Sequence, residues 1–224
     1  MMKSIMISIK PKLCELIANG KKTIEIRKTR PKINTPFKCY IYCTNSGRPL
    51  VWGSPTPYLT DERLTQTYGY SREDAEKIFG CWNGKVIGEF VCDEIMTYAF
   101  SDVSTDVGIF SYYERYVKND CDCDCLTDDE IIDYGNGKTL YGWHISELKI
   151  YDEPKELTNF KVKDNYRIER CAARERVYNN PDFTNESLLK GSYYCNKYND
   201  FCDKCLTKEL TKPPQSWRYV DELR

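Results

Sequence analysis

Apolar and polar positions along this chain switch between a period of two and a period near 3.6, and the switches predict the elements. Residues Ser4–Ile9 alternate and read as a first strand. From Pro11 onward Leu13, Leu16 and Ile17 recur at helical spacing, Pro11 suits the first turn, and Gly20 can end the helix through a left-handed conformation. The chain then turns into a strand in which Thr23, Glu25 and Arg27 alternate with Ile24 and Ile26. At period two the isoleucines share one face, expected to meet the core, and the polar trio shares the other, expected to be a working surface. The plainer alternative is an antiparallel strand with one wet face.

Further along, Phe37–Cys43 is a third strand between Pro36 and the turn-forming Asn45-Ser46-Gly47. Residues 49–83 read as a helical insertion, broken by Ser54-Pro55-Thr56-Pro57 and containing a helix start at Ser71-Arg72-Glu73-Asp74. Gly84 to Met96 gives one long strand, in which Gly88 marks a bulge, a bend or a close approach. The stretch Phe100–Asp124 begins as an Asp- and Ser-rich loop, and Tyr112, Tyr113 and Tyr116 fall on one helical face. Thr127 with Asp128, Asp129 and Glu130 caps a short helix closed by Gly135-Asn136-Gly137. Thr139–Tyr151 is another strand region ended by a turn at Asp152-Glu153-Pro154. Leu157 onward is irregular until a final strand at Pro213–Val220. The whole predicts an α+β chain: a small mixed β-barrel over residues 1–155 with short flanking helices, and an irregular extension over 156–224 that returns a strand to the core.

Composition narrows the function classes. Charge is balanced, with 33 Lys and Arg against 34 Asp and Glu, so a polyanion site has to be local. No apolar run approaches the roughly 20 residues of a membrane span, and no basic-then-apolar segment opens the chain, so a cytoplasmic protein without a membrane partner is expected. In that compartment the 12 cysteines are thiols or metal ligands. Cys14, Cys39, Cys43, Cys81 and Cys92 sit in apolar patterns and pack as small hydrophobes. Cys202-Asp203-Lys204-Cys205 is a half-site for tetrahedral zinc, which Cys171 and Cys195 would complete as a structural site. Cys121-Asp122-Cys123-Asp124-Cys125 reads as a reduced loop open to adventitious metal, since alternate residues of an extended chain hold their side chains apart.

Two further constellations can carry chemistry. His144 is the only histidine, beside Trp143, and in a strand the two point to opposite faces. Lys22, Glu25 and Arg27 form the other: a fork of donors for phosphate, a point charge or base, and a carboxylate to orient them or take a proton. Glu89, after Gly88, is a third carboxylate if the sheet brings it near.

With Gly20-Lys21-Lys22-Thr23-Ile24-Glu25-Ile26-Arg27 in view, the chain resembles the ASCH family, whose members share a barrel related to the PUA domain. Gly84-Lys85-Val86-Ile87-Gly88-Glu89-Phe90 and Tyr141-Gly142-Trp143-His144-Ile145 support the resemblance, and Pro213-Pro214-Gln215-Ser216-Trp217 is similar to larger members from bacteria and phages. The resemblance implies a cleft beside the Gly-Lys-x-Thr strand and an RNA or modified-nucleoside ligand, held by Lys22, Thr23, Glu25, Arg27, Trp143 and His144. A rival expectation is a hydrolase on the same site, either a ribonuclease or an amidohydrolase of acetylated cytidine, with Lys22, Glu25, His144 and Glu89 as its group. The lysine of the amidohydrolase type corresponds to Lys22. Glu25 occupies the place of its threonine nucleophile, and Thr23 lies two residues earlier; a carboxylate cannot repeat the role of that hydroxyl. A third expectation is a protein-binding adaptor of phage or host-defence type.

Overall fold

The computed structural model describes residues 4–46, 69, 71, 73–74, 81–115, 123–163, 194–195, 200–201 and 207–222. They fall into two compact units, residues 1–155 with 213–219, and residues 156–212 with 220–224.

In the first unit β1 (Ser4–Ile9), α1 (Pro11–Ala18), β2 (Ile24–Arg27) and β3 (Phe37–Cys43) follow the predicted pattern. Gly20 ends the α1 turn with φ +69°. β1 and β3 are parallel neighbours, and β4 (Val86–Cys92) lies antiparallel on the far side of β3.

The predicted single strand from Gly84 to Met96 is two strands. After β4 the chain turns a corner at Asp93-Glu94 and leaves as β5 (Ile95–Thr105) in a second sheet. A similar break divides the predicted strand Thr139–Tyr151. β7 (Leu140–His144) belongs to the second sheet, and β8 (Ser146–Lys155) pairs with β4 in the first. Glu147, just past that corner, has φ +46°. Strands that change sheets at such corners wrap two sheets round one interior, which makes a mostly β, mixed α+β, barrel-like unit. β8 also runs through the expected turn at Asp152-Glu153-Pro154. It is an edge strand, where a proline's missing N–H breaks no ladder.

Gly88 is a point of close approach. A Cβ there would lie 2.5 Å from the Lys149 carbonyl oxygen of β8, and the β4–β8 register shifts beside it. The stretch expected to be a loop and a tyrosine-bearing helix is a hairpin, β5 with β6 (Gly108–Glu114). Pairing imposes period two, so Tyr113 is buried and Tyr112 exposed, while Tyr116 lies outside the described residues.

α2 (Asp128–Gly135) has the expected capping box. Thr127 Oγ1 accepts from Glu130 N at 3.2 Å, and a Glu130 carboxylate oxygen accepts from Thr127 N at 2.9 Å. Ser71 Oγ likewise accepts from Asp74 N at 3.1 Å.

Two apolar clusters hold this unit together. The larger joins Ile5, Ile7, Ile9, Cys14, Ile17, Phe37, Cys39, Ile41, Cys43, Cys92 and Trp143 between the sheets, with four buried free thiols packed as small hydrophobes; Cys81 is partly exposed. The smaller lies beneath α2 and joins Ile24, Ile26, Met96, Tyr98, Tyr113, Ile131 and Leu140. Every residue of β2 is buried. The wet face of the plainer alternative does not exist: the isoleucines of this strand meet the cluster under α2, and its polar residues face the barrel interior.

In the second unit a 3-10 turn (Leu157–Asn159) leads into β9 (Phe160–Lys163). Short strands β10 (Tyr194–Cys195) and β11 (Asp200–Phe201) pair with each other, and β12 (Thr207–Glu209) pairs with β9. The end of β13 (Trp217–Glu222) also pairs with β9, through Asp221 and Glu222. This part of the chain, irregular by pattern, is thus partly stranded. Cys171, Cys202 and Cys205 of the expected zinc site lie outside the described residues, as does the Cys195 side chain. Among the described residues no helix is long and apolar enough to cross a membrane.

Candidate functional site

Burial of both β2 faces places Lys22, Glu25 and Arg27 where charges are costly unless paired. Their exposures are 1%, 4% and 7%. Lys22 Nζ donates to the Ile24 carbonyl at 2.7 Å and to the Asp124 carbonyl, and lies 3.5 Å from Glu25 Oε2. Two of its hydrogens are thus taken by backbone carbonyls, and the contact with Glu25 Oε2 is an ion pair without a hydrogen bond. Lys22 is thereby an anchor of the floor. Arg27 Nη2 donates to the Ser8 carbonyl at 2.6 Å and forms an ion pair with Glu25 Oε1 at 2.9 Å.

Two polar atoms of this group have no hydrogen-bond partner among the described residues, the acceptor Glu25 Oε2 and the donor Arg27 Nε. Both residues line a cavity of about 760 Å3, within the roughly 300–1,000 Å3 usual for ligand sites. Its wall takes Ser8 from β1, Lys10 and Lys12 from the start of α1, Lys28 after β2, Tyr134 from α2, and Gln215 and Ser216 from the closing segment. Ser8 fastens that segment: its N–H donates to the Ser216 carbonyl at 2.9 Å and its hydroxyl to the Pro214 carbonyl at 2.6 Å. The lining holds five cations, Lys10, Lys12, Lys22, Arg27 and Lys28, against three carboxylates, Glu25, Glu130 and Asp133. Lys28 sits over the Tyr134 ring at 4.9 Å from its centroid. Burial pushes the Tyr134 hydroxyl above its ordinary value, against a downward pull from Arg27.

The other residues expected at the site lie elsewhere. Trp143 is opposite Glu25 in the β2–β7 ladder and shares its inward face, but its ring is wholly buried. It packs edge-on to Phe37 at 5.6 Å and against Trp217 at 5.9 Å, inside the larger apolar cluster and away from the cavity lining. His144 takes the opposite face, level with Ile24, and its Nδ1 is 2.6 Å from Asp93 Oδ1. Burial pulls the Asp93 carboxyl up, but hydrogen bonds from His144, its own backbone and Ser146, with the electrostatic pull of His144, together hold the group below its ordinary value. Thr23 is tied to the loop before α2: its N–H donates to the Cys123 carbonyl and its Oγ1 accepts from Cys123 N, both at 2.9 Å. Glu89 is bound by Lys38 at 2.9 Å and the Tyr151 hydroxyl at 2.7 Å. The structure thus brings together Lys22, Glu25 and Arg27 of the expected set, and leaves Thr23, Trp143, His144 and Glu89 outside the cavity lining.

Sequence reasoning missed the rim lysines, Tyr134 and the Gln215-Ser216 wall. One signal was present for the lysines: Lys12 stands in the first turn of α1, where the helix dipole disfavours a cation and no acid is found. The loop of Cys123 and Cys125 also differs from expectation. Cys125 adopts φ +56°, which bends the chain and brings the two sulfurs to 3.1 Å.

Against known proteins, the chain is similar in structure to the ASCH protein of Zymomonas mobilis. The TM-score is 0.44 at 16% identity over 98% of this chain and 88% of that one. A single-residue variant of that protein matches with the same TM-score at 15% identity, over 98% of this chain and 89% of the variant. No family model and no curated protein matches.

Proposed function

We propose that this chain is an ASCH-type, PUA-like binding protein that takes an amino-bearing base of RNA, or of a modified nucleoside, onto the floor of the Glu25–Arg27 cavity. The observation that carries this reading is the buried pair of partnerless atoms, one acceptor and one donor, on residues lining the same cavity. A buried polar atom left unpaired costs about 1–3 kcal/mol, so a ligand edge that supplies both partners gains from both. The edge of cytosine or adenine does so. Its exocyclic amine donates to Glu25 Oε2, and its ring nitrogen accepts from Arg27 Nε. Uracil has no exocyclic amine and reaches the same two atoms only through its ring N3–H and a flanking carbonyl, a shifted seating that displaces its ribose. Exposed Lys10, Lys12 and Lys28 at the rim suit flanking phosphates. The rival hydrolase has less support, because Lys22 is tied to two backbone carbonyls and His144 lies on the other face of the sheet.

The test is a binding titration with cytidine, uridine and a short single-stranded RNA. Cytidine is expected to bind about tenfold or more tighter than uridine. Glu25→Gln, which exchanges an acceptor for an amide, is expected to erase that preference. Lys12→Ala should weaken RNA binding and reduce the slope of affinity against salt by about one ion. Equal affinity for the two nucleosides, or no binding of either, would refute the reading. Acetylated cytidine incubated with the protein is expected to remain intact, and its release of acetate would return the hydrolase to first place.

A further inference from the structure

The loop that carries Lys22's second acceptor also carries two thiols in contact. Cys123 is exposed and Cys125 lines the cavity, and both are free. Their sulfurs are 3.1 Å apart, so the roughly 2.05 Å of a disulfide needs about 1 Å of movement. Between them, the Asp124 carbonyl accepts from Lys22 Nζ. The loop is otherwise pinned. Cys123 N–H and C=O engage Thr23, the Asp124 carboxylate accepts from Leu126 N at 2.9 Å with Arg115 Nη1 3.5 Å away, and Cys125 Sγ donates to the Lys21 carbonyl at 3.2 Å.

We propose that Cys123 and Cys125 are a modification site: a hydroperoxide oxidises them to a disulfide, and closing that bond displaces the Asp124 carbonyl and loosens Lys22 at the cavity floor. The Cys123 sulfur attacks the O–O bond of the hydroperoxide and becomes a sulfenic acid, releasing an alcohol, or water from hydrogen peroxide. The Cys125 thiol then attacks the sulfenic sulfur, the S–S bond forms, and water leaves. Two thiols lose two electrons and two protons, and the peroxide accepts them. The order follows from the surroundings. Cys123 faces solvent, whereas burial and the neighbouring sulfur push the Cys125 thiol up to about 11, so Cys125 is the poorer first nucleophile. The closed ring draws the Cys125 sulfur away from the Lys21 carbonyl and twists the peptide of Asp124, which is the atom group that holds Lys22.

The bond itself does not depend on the nucleobase reading; only its effect on ligand affinity does. The experiment treats the full chain with hydrogen peroxide, alkylates the remaining thiols, and maps peptides by mass spectrometry. The expected result is a peptide about 2 Da lighter, unalkylated at both Cys123 and Cys125, and restored by dithiothreitol. Cys123→Ser and Cys125→Ser should each abolish it. Acylation of Lys22 by an amine reagent, read in the same map, is expected to rise several-fold on oxidation. Cytidine affinity is expected to fall about fivefold or more. Alkylated Cys125 after peroxide, or a bond from either sulfur to another cysteine, would overturn the proposal. A Cys123–Cys125 bond with unchanged Lys22 acylation would overturn its link to the cavity. If cytidine does not bind the reduced protein, the disulfide and Lys22 readouts still decide the case.

Discussion

Glu25 and Glu89 are two carboxylates on two sheets of the same unit, each beside a lysine, and they end in opposite conditions. Glu89 lies on β4, partly exposed, with one oxygen bound by Lys38 and the other by the Tyr151 hydroxyl. Both of its oxygens are satisfied within the protein. Glu25 is buried on β2, with Arg27 on one oxygen and, on the other, only the charge of Lys22 at 3.5 Å. The comparison teaches that charge pairing alone does not mark a site. A carboxylate with every lone pair engaged fastens strands, whereas a desolvated one with an oxygen to spare is prepared for something from outside.

The largest break in this comparison is expected from truncation. Glu25→Ala leaves Lys22 and Arg27 buried with their counter-charge gone, a loss of about 3–5 kcal/mol, whereas Glu89→Ala should cost about 1 kcal/mol or less. Urea unfolding of the two variants measures both, and similar losses would show that burial does not separate the two groups. A smaller effect is expected at Gly88, which lets β8 approach the strand bearing Glu89. Gly88→Ala puts a methyl group within 2.5 Å of the Lys149 carbonyl oxygen and should destabilise by about 1–3 kcal/mol, seen as a lower melting temperature. An unchanged melting temperature would mean that the β4–β8 contact is loose.

The smallest effect is a pH dependence. Burial pulls the Glu89 carboxyl up, but hydrogen bonds from Tyr151 and Lys38 and the charges of Lys38 and Lys155 together hold it below its ordinary 4.5. A carboxyl depressed in the folded state contributes stability above its unfolded value, and that contribution is lost as pH falls through the folded value. Tyr151→Phe removes one cause of the depression, so the acid-dependent fall in stability should shrink and level off at higher pH. Stability measured across about pH 3 to 6 checks this, and identical curves for Tyr151→Phe and the parent chain would remove Tyr151 from the account.

Much of the fold was legible because local chemistry dictated it. Pro11, Gly20, the Thr127–Glu130 capping box and the apolar runs of β1 and β3 act within a few residues of themselves. The corners at Asp93-Glu94 and Ile145 were not legible, since an apolar alternation continues through each while the pairing partner changes from one sheet to the other. The β5–β6 hairpin was hidden for a similar reason: its exposed, Ser- and Asp-rich strands owe their form to cross-strand pairing.

By itself the sequence determined that β2 carries Glu25 and Arg27 on the face opposite Ile24 and Ile26, because side chains alternate along any strand. It also determined which cations and carboxylates the site could draw on. Only the tertiary structure decided that the polar face is buried, that Trp143 fills the core while Tyr134 stands at the cavity, and that Gln215 and Ser216 close its wall. Burial, partners and cavities are properties of what packs across a strand, and here those neighbours come from segments far apart in the chain, as Ser8 and Pro214 show at a separation of 206 residues.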